Sequence, residues 1–300
     1  MTQTPLKQMP SLYQTQSPDT SPDVEQILIR RWREMLPTQK AKLVRNATKR
    51  CWQLSLIGIW NQHSHLLTMK QVRQEFIRRR FGVEWIQVLC NEDYWGKFED
   101  IAGIEAVMED AVWLALKLAE ILEGLGIPYL VGGSVASSLL GEPRATLDLD
   151  LVVDLHSSQI ELLIAAMIDE FYVSIDAVTD AVERKASFNA IHLETTEKAD
   201  FFVLGDDGFS QSKLRRRQVY RLPGQFGQSI YIYSAEDIIL QKLRWYRMGF
   251  SQSDRQWRDV LGVLKVQAEH LDFEYLRLWG QRLGLDDELS KAFCESGLQE

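Results

Sequence analysis

The chain has 300 residues, of which 45% are apolar and 25% charged, the balance of a globular protein with one or two domains. A net charge of −8 excludes a wholly basic nucleic-acid coat. The longest apolar stretch, residues 112–130, is interrupted by charges, which excludes a membrane span. Cys51, Cys90 and Cys294 show no metal-ligand spacing, and the polar first residues contain no signal-peptide core. We therefore predict a cytoplasmic protein with reduced thiols.

The N-terminal third is predicted to be helical. Residues 1–20 are rich in Gln, Ser, Thr and Pro and are predicted to form a disordered tail. Residues 21–90 are predicted to form a helical module, since SPD at 21–23 is a helix start and Thr68 with Gln71 makes a capping box. This module is either a small bundle with solvated basic faces or a surface that binds a partner or a phosphate backbone.

Charge is divided unevenly along the chain. Residues 1–100 contain 15 Lys and Arg against 10 Asp and Glu, whereas the other 200 contain 19 against 32. This division predicts two units that differ in function or that attract each other. A basic run at 215–217 is either a solvated helix end or a contact for phosphate or RNA.

The rest of the chain is predicted to be α+β. Residues 91–103 (NEDYWGKFEDIAG) form the predicted linker, residues 104–233 the core, and residues 234–300 a C-terminal helical part. The predicted strands are 129–131, 147–153, 187–195, 198–204 and 228–233. The predicted helices are 104–123, 134–140, 158–170, 234–248, 252–267, 272–283 and 285–296. This order indicates a mixed β-sheet flanked by helices.

Two carboxylates interrupt an otherwise apolar strand, LDLDLVV. Asp148 and Asp150 are two residues apart and therefore project to the same face. Carboxylates this close repel each other unless a cation lies between them, and Mg²⁺ or Mn²⁺ is the natural one. Asp200, a lone acid in another short apolar strand, is the best candidate for a third ligand, whereas Asp154 at the strand end is interpreted as a turn residue.

A glycine pair precedes the short helix at 134–140. Gly132 and Gly133 allow the backbone to approach a phosphate closely, and Ser134 begins a helix whose N-terminus favours anions. An anion-binding turn followed by a metal-binding strand predicts a site for a nucleoside triphosphate. No GxxxxGK or GxGxxG pattern is present, which excludes a P-loop and a Rossmann fingerprint.

Four motifs in this order resemble a known superfamily. The stretch GGSVASSLLGEPRATLDLDLVVD is similar to the signature of nucleotidyltransferases related to polymerase β. Its Gly-x-Pro-Arg-x-Thr-x-Asp-x-Asp form is similar to AbiEii-type toxins and to their antibiotic and small nucleotidyltransferase relatives. YIYSAEDIILQKLRWYRMG and SDRQWRDVLGVL resemble later motifs of that group. The resemblance covers about residues 104–270 and implies the nucleotidyltransferase fold.

The resemblance implies a role for each matched residue. The implied metal ligands and catalytic acids are Asp148, Asp150 and Asp200, with Asp200 as the base for the acceptor hydroxyl. The implied nucleotide-binding residues are Gly132, Gly133, Ser134, Arg144, Lys242 and Asp259. Structural alternatives stay open: an ion pair for Arg144, an ordinary helix lysine for Lys242 and pairing with Arg255 for Asp259.

The implied reaction moves a nucleotidyl group from an NTP to an acceptor hydroxyl with release of pyrophosphate, assisted by Mg²⁺ or Mn²⁺. By resemblance the leading acceptor is RNA, in a toxin-like role, and a small molecule is second. The alternative from another class is a non-catalytic module that binds nucleotide or protein. The N-terminal module is not part of the signature and would act as an inhibitor of its own catalytic domain, an RNA-binding element or an oligomerisation element.

Overall fold

The structure is a computed structural model that describes residues 13–15, 22–44, 47, 48, 51, 59, 68–83, 86–89, 111–146, 148–193, 195, 197–221, 229–249 and 253–298. The predicted linker and all but three residues of the predicted tail lie outside these residues. Within them, no helix combines the length and the apolar character that a bilayer crossing requires.

The described residues form twelve α-helices and seven strands. The helices are α1 (Pro22–Glu34), α2 (Met69–Phe81), α3 (Ile86–Leu89), α4 (Ala111–Gly124), α5 (Gly133–Leu140), α6 (Ile160–Met167), α7 (Ile175–Arg184), α8 (Gly208–Arg216), α9 (Ala235–Met248), α10 (Asp254–Gln267), α11 (Phe273–Leu283) and α12 (Asp286–Ser296). The strands are β1 (Tyr129–Val131), β2 (Asp148–Val153), β3 (Phe171–Val173), β4 (Ser187–His192), β5 (Lys198–Val203), β6 (Gln218–Arg221) and β7 (Ser229–Ile232). Residues 37–44 are helical as well, and residues 157–159 form a 3₁₀ turn.

The strands make a mixed sheet in the order β3-β4-β5-β2-β1-β7-β6. β2 pairs with β5 and β1 with β7 in parallel, whereas β3 with β4, β4 with β5, and β6 with β7 are antiparallel. The predicted fold class, an α+β mixed sheet flanked by helices, is confirmed, with helical residues before it and four helices after it.

Contacts divide the chain into two compact units that differ from the predicted domains. The first unit comprises Met1–Ala41, Leu130–Pro143 and Asp206–Glu300, and the second comprises Lys42–Tyr129 and Arg144–Gly205. The boundaries inferred from composition stay predictions.

The second unit is built on β2 and β5. Leu149, Leu151 and Phe201 are fully buried, and α4 packs against both strands. The apolar positions of LDLDLVV thus form the core side of β2, as its period-two pattern predicts.

The first unit is built on α9 and α10, which pack along each other. α10 also contacts α5, α12 and α1. The α1 contact is polar at its centre: Arg33 donates to the backbone oxygen of Lys265 at 2.6 Å, and the ammonium of Lys265 lies 3.2 Å from a carboxylate oxygen of Glu25 in a buried ion pair. The N-terminal helix is therefore tied to the C-terminal helices within one unit.

Several local predictions are confirmed. Thr68 and Gln71 form the capping box of α2, β1 has the predicted bounds, and α5 begins one residue before the predicted position. β3, α7, α8 and β6 were not predicted. β3 has only three residues, and the β-branched residues of α7 weaken its helix signal, although Ser174 caps it by accepting from the Ala177 amide at 3.3 Å.

His192 gives the second unit a predictable pH dependence. Its ring is 3% exposed, lies edge-on to Trp113 and Phe171, and accepts at Nδ1 from the Thr195 amide at 3.2 Å. Burial, and then the charge of Lys117, lower the pKa of His192 to about 4. An unfolded histidine titrates near pH 6.5, so the unfolded state takes up a proton first as the pH falls and the folded state loses stability between about pH 6.5 and 4.

We expect the free energy of unfolding to fall by about 2 kcal/mol between pH 7 and pH 5 because of this one group. His192→Gln keeps a polar side chain and should remove that loss. Urea unfolding of both proteins at the two pH values measures it. An equal pH dependence in the variant would show that His192 is not the responsible group.

Candidate carboxylate site and phosphate-binding turn

Parallel pairing of β2 and β5 brings the three predicted carboxylates onto one face. Asp150 is the direct register partner of Asp200, and Asp148 is the partner of Lys198. Paired residues on neighbouring strands project to the same side about 4.8 Å apart, and Asp148 shares this side because it lies two residues before Asp150. One face of the second unit therefore carries Asp148, Asp150 and Asp200.

The acidic face is accessible while the opposite face is core. Asp148 is exposed and Asp150 and Asp200 are half-buried, whereas Leu149 and Ala199 between them are fully buried. The side chains that alternate along these strands thus separate the packing function from the polar face.

A cation of the chain itself lies among these acids. Lys198 Nζ is 3.0 Å from Asp200 Oδ1, and both side chains are mostly buried. Across the described residues, no group of three or more His, Cys, Asp or Glu side chains is arranged to hold a metal ion as it stands. The lysine thus partly neutralises the carboxylates in this structure.

The start of β2 is fixed by two threonines. Thr146, which is buried, donates through Oγ1 to the backbone oxygen of Asp148 at 3.2 Å. The hydroxyl of Thr48 accepts from the Thr146 amide at 3.2 Å and lies 3.2 Å from the Thr146 carbonyl oxygen. No sequence pattern pointed to Thr48, because this contact spans 98 residues. Arg144 donates to the Ala145 carbonyl oxygen at 3.1 Å, and its phosphate contact stays a prediction.

The glycine turn lies in the first unit, directly after β1. Gly133 has φ +53°, a left-handed conformation that favours glycine. A Cβ on Gly132 would lie 2.5 Å from Cε2 of Tyr233, so the aromatic ring packs directly on this backbone. No side chain caps α5 at Gly132, and Ser134 is half-buried in the first turn. A helix start of this kind has the backbone polarity that binds anions.

Lys242 and Asp259 contact each other. Lys242 Nζ donates to Asp259 Oδ2 at 2.7 Å, which joins α9 to α10, and the two residues are 3% and 7% exposed. Their contact with a nucleotide stays a prediction, and the geometry shown is that of a buried ion pair within the first unit. The neighbouring Arg258 pairs with Glu142 at 2.6 Å.

The basic run at 215–217 is tied into a polar cluster of the first unit. Arg216 donates to Glu236 at 2.9 Å, and its guanidinium carbon lies 3.8 Å from the centre of the Tyr275 ring. The Tyr275 hydroxyl donates at 2.7 Å to Asp237, whose pKa is raised by burial. Arg216 therefore supports α9 and α11. The same unit contains a buried lysine, Lys213, that sequence patterns did not single out.

No protein-family model matches the chain, and no curated protein matches it. Among solved structures it is similar to an antigenic nucleotidyltransferase-like protein from Paracoccidioides brasiliensis, with 17% identity over 64% of this chain and 94% of that one and a TM-score of 0.40. The antibiotic-resistance factor ANT(2'')-Ia is 14% identical over 60% and 97% of the two chains, with a TM-score of 0.38. The lincosamide antibiotic adenylyltransferase LnuA, bound to lincomycin, is 14% identical over 52% and 96%, with a TM-score of 0.36. These are similarities and assign this chain no activity.

Proposed function

We propose that the chain is a metal-dependent nucleotidyltransferase that moves a nucleotidyl group from an NTP to an acceptor hydroxyl. One observation carries this proposal: Asp150 and Asp200 are register partners on parallel strands, with Asp148 on the same face. Three neighbouring carboxylates repel one another, so their grouping on an accessible face favours a bound cation. The order of glycine turn, paired aspartates and third acid agrees with the superfamily signature.

The donor set fits a hard divalent ion. Mg²⁺ and Mn²⁺ prefer carboxylate oxygens, and Asp148, Asp150 and Asp200 supply only such ligands. Lys198 would have to release Asp200 when the ion binds, because both cations need the same carboxylate. When bound, the ion neutralises phosphate charge and favours ionisation of the acceptor hydroxyl.

The residues of the chain then perform the transfer. Asp200 accepts the proton of the acceptor hydroxyl, whose oxygen forms the new bond to the α-phosphorus. The bond from that phosphorus to the oxygen of the β-phosphate breaks, and pyrophosphate leaves. The backbone amides at Gly133 and Ser134 hold phosphate oxygens. Lys242 and Asp259 hold α9 on α10, since a direct contact of Lys242 with the triphosphate would break their buried pair.

The acceptor is proposed to be RNA. The AbiEii-type form of the aspartate motif supports this choice, and a small-molecule hydroxyl is the second candidate because antibiotic nucleotidyltransferases share the motif order. The full chain should be incubated with each α-labelled NTP, Mg²⁺ and total cellular RNA, beside Asp150→Asn/Asp200→Asn. Circular dichroism shows that both proteins are folded.

We expect one NTP to label RNA, with the label lost in the double variant and with EDTA. Label absent from RNA but transferred to an aminoglycoside or lincosamide would replace the acceptor and keep the reaction. Absence of transfer together with absence of Mg²⁺-dependent NTP binding would overturn the enzyme proposal and favour the non-catalytic module.

A further inference from the structure

Lys213 on α8 is a buried cation of the first unit. It is 6% exposed, and its ammonium donates to Oε1 of Gln241 at 2.9 Å. The ammonium also lies 4.9 Å from the centre of the Phe209 ring and 5.6 Å from that of Tyr233. Among the residues that the structure describes, no carboxylate lies within ion-pair distance of Lys213.

A buried charge with a neutral partner is unfavourable for the protein alone. Burial, and then the nearby charge of Arg244, lower the pKa of Lys213 to about 8, and the more distant Asp207 and Asp237 oppose this only in part. Structural lysines are normally buried beside a carboxylate, as Lys242 and Lys265 are in this unit. Lys213 therefore differs from the other buried lysines of the same helices in lacking an acidic partner.

The ring of Tyr233 connects this lysine to the glycine turn. The ring packs on the backbone of Gly132, and the ammonium of Lys213 lies over the same ring. α5 begins at this turn without a side-chain cap. A helix N-terminus and a lysine ammonium thus flank one aromatic side chain, and both attract negative charge.

We propose that Lys213 is a phosphate-binding residue, whose ammonium binds the terminal phosphates of the nucleotide held at the Gly132–Ser134 turn. Gln241 orients the ammonium, and the phosphate supplies the negative charge that the surrounding residues lack. This assignment rests on the proposed function for the identity of the ligand. It predicts a preference for nucleoside triphosphates over monophosphates that originates in one side chain.

The test compares wild-type protein with Lys213→Met, which keeps the length of the side chain and removes its charge. The control is Lys291→Met on α12, an exposed lysine. Isothermal titration without metal uses three probes: tripolyphosphate, an NTP and the corresponding NMP. We expect Lys213→Met to weaken binding of tripolyphosphate and NTP at least tenfold and to change NMP binding less than twofold. Lys291→Met should bind all three as the wild type does.

Thermal unfolding separates binding from folding. Replacing a buried, unpaired charge by an apolar side chain should keep or raise the melting temperature, so weaker binding in a variant of equal stability is specific. Wild-type protein that does not bind tripolyphosphate, or Lys213→Met that binds it within twofold of the wild type, would overturn the assignment. Lys213-dependent binding without nucleotidyl transfer would keep the phosphate site and remove the proposed reaction. Normal transfer by Lys213→Met would do the reverse.

Discussion

Asp150→Asn and Asp200→Asn are each expected to lower the rate of nucleotidyl transfer by about 10³-fold or more. Each change removes a carboxylate from the shared face of β2 and β5, and Asp200→Asn also removes the proposed base, a role that contributes roughly 10²–10⁴-fold. The side-chain volume is kept, so the free energy of unfolding should change little. Single-turnover transfer with labelled NTP at saturating Mg²⁺ measures the effect.

Asp154→Asn is the matched control. Asp154 has the same parity as Asp150 but follows the end of β2, where its amide donates to the Pro128 carbonyl oxygen at 2.8 Å. This variant should transfer within twofold of the wild-type rate. If Asp200→Asn keeps more than a tenth of the wild-type rate, the register pair is not the catalytic centre.

Lys242→Met should destabilise the first unit by about 3–5 kcal/mol, because it leaves Asp259 buried without its lysine. Removing both charges in Lys242→Met/Asp259→Leu should restore stability to within about 1 kcal/mol, since two apolar side chains of similar size replace the pair. Urea unfolding of the single and double variants measures both effects.

The double variant also separates the two interpretations of Lys242. If the pair only joins α9 to α10, the double variant should transfer nucleotide at a rate within tenfold of the wild type. Restored stability with transfer reduced 10³-fold would show instead that Lys242 contacts the triphosphate, as the motif resemblance implies.

The polar face could be predicted from sequence only in part. The alternation in LDLDLVV places Asp148 and Asp150 on one face because side chains repeat every two residues along a strand. The same periodicity does not determine which strand lies beside β2 or in which register, since these depend on long-range pairing. The register of Asp150 with Asp200 is therefore a structural result.

The buried polar residues could not be predicted for a related reason. Lys213 lies in SKLRRR, a basic sequence typical of a solvated helix end, and its burial depends on packing against residues far along the chain. Thr48 lies in a basic helical stretch and has no local pattern that distinguishes it. Contacts of this kind depend on tertiary structure that a period of two or 3.6 residues does not encode.

The alternation of the chain between its two units determines the order in which they can fold during synthesis. The second unit is complete once residue 205 has been made, whereas the first needs Asp206–Glu300. α1 is made about 220 residues before α10, the helix on which it packs. At roughly 5–20 residues per second, Ile29 and the rest of its buried face wait about 10–45 s for their partner. The nascent N-terminal helix is thus a binding site for ribosome-associated chaperones until the C-terminal helices emerge.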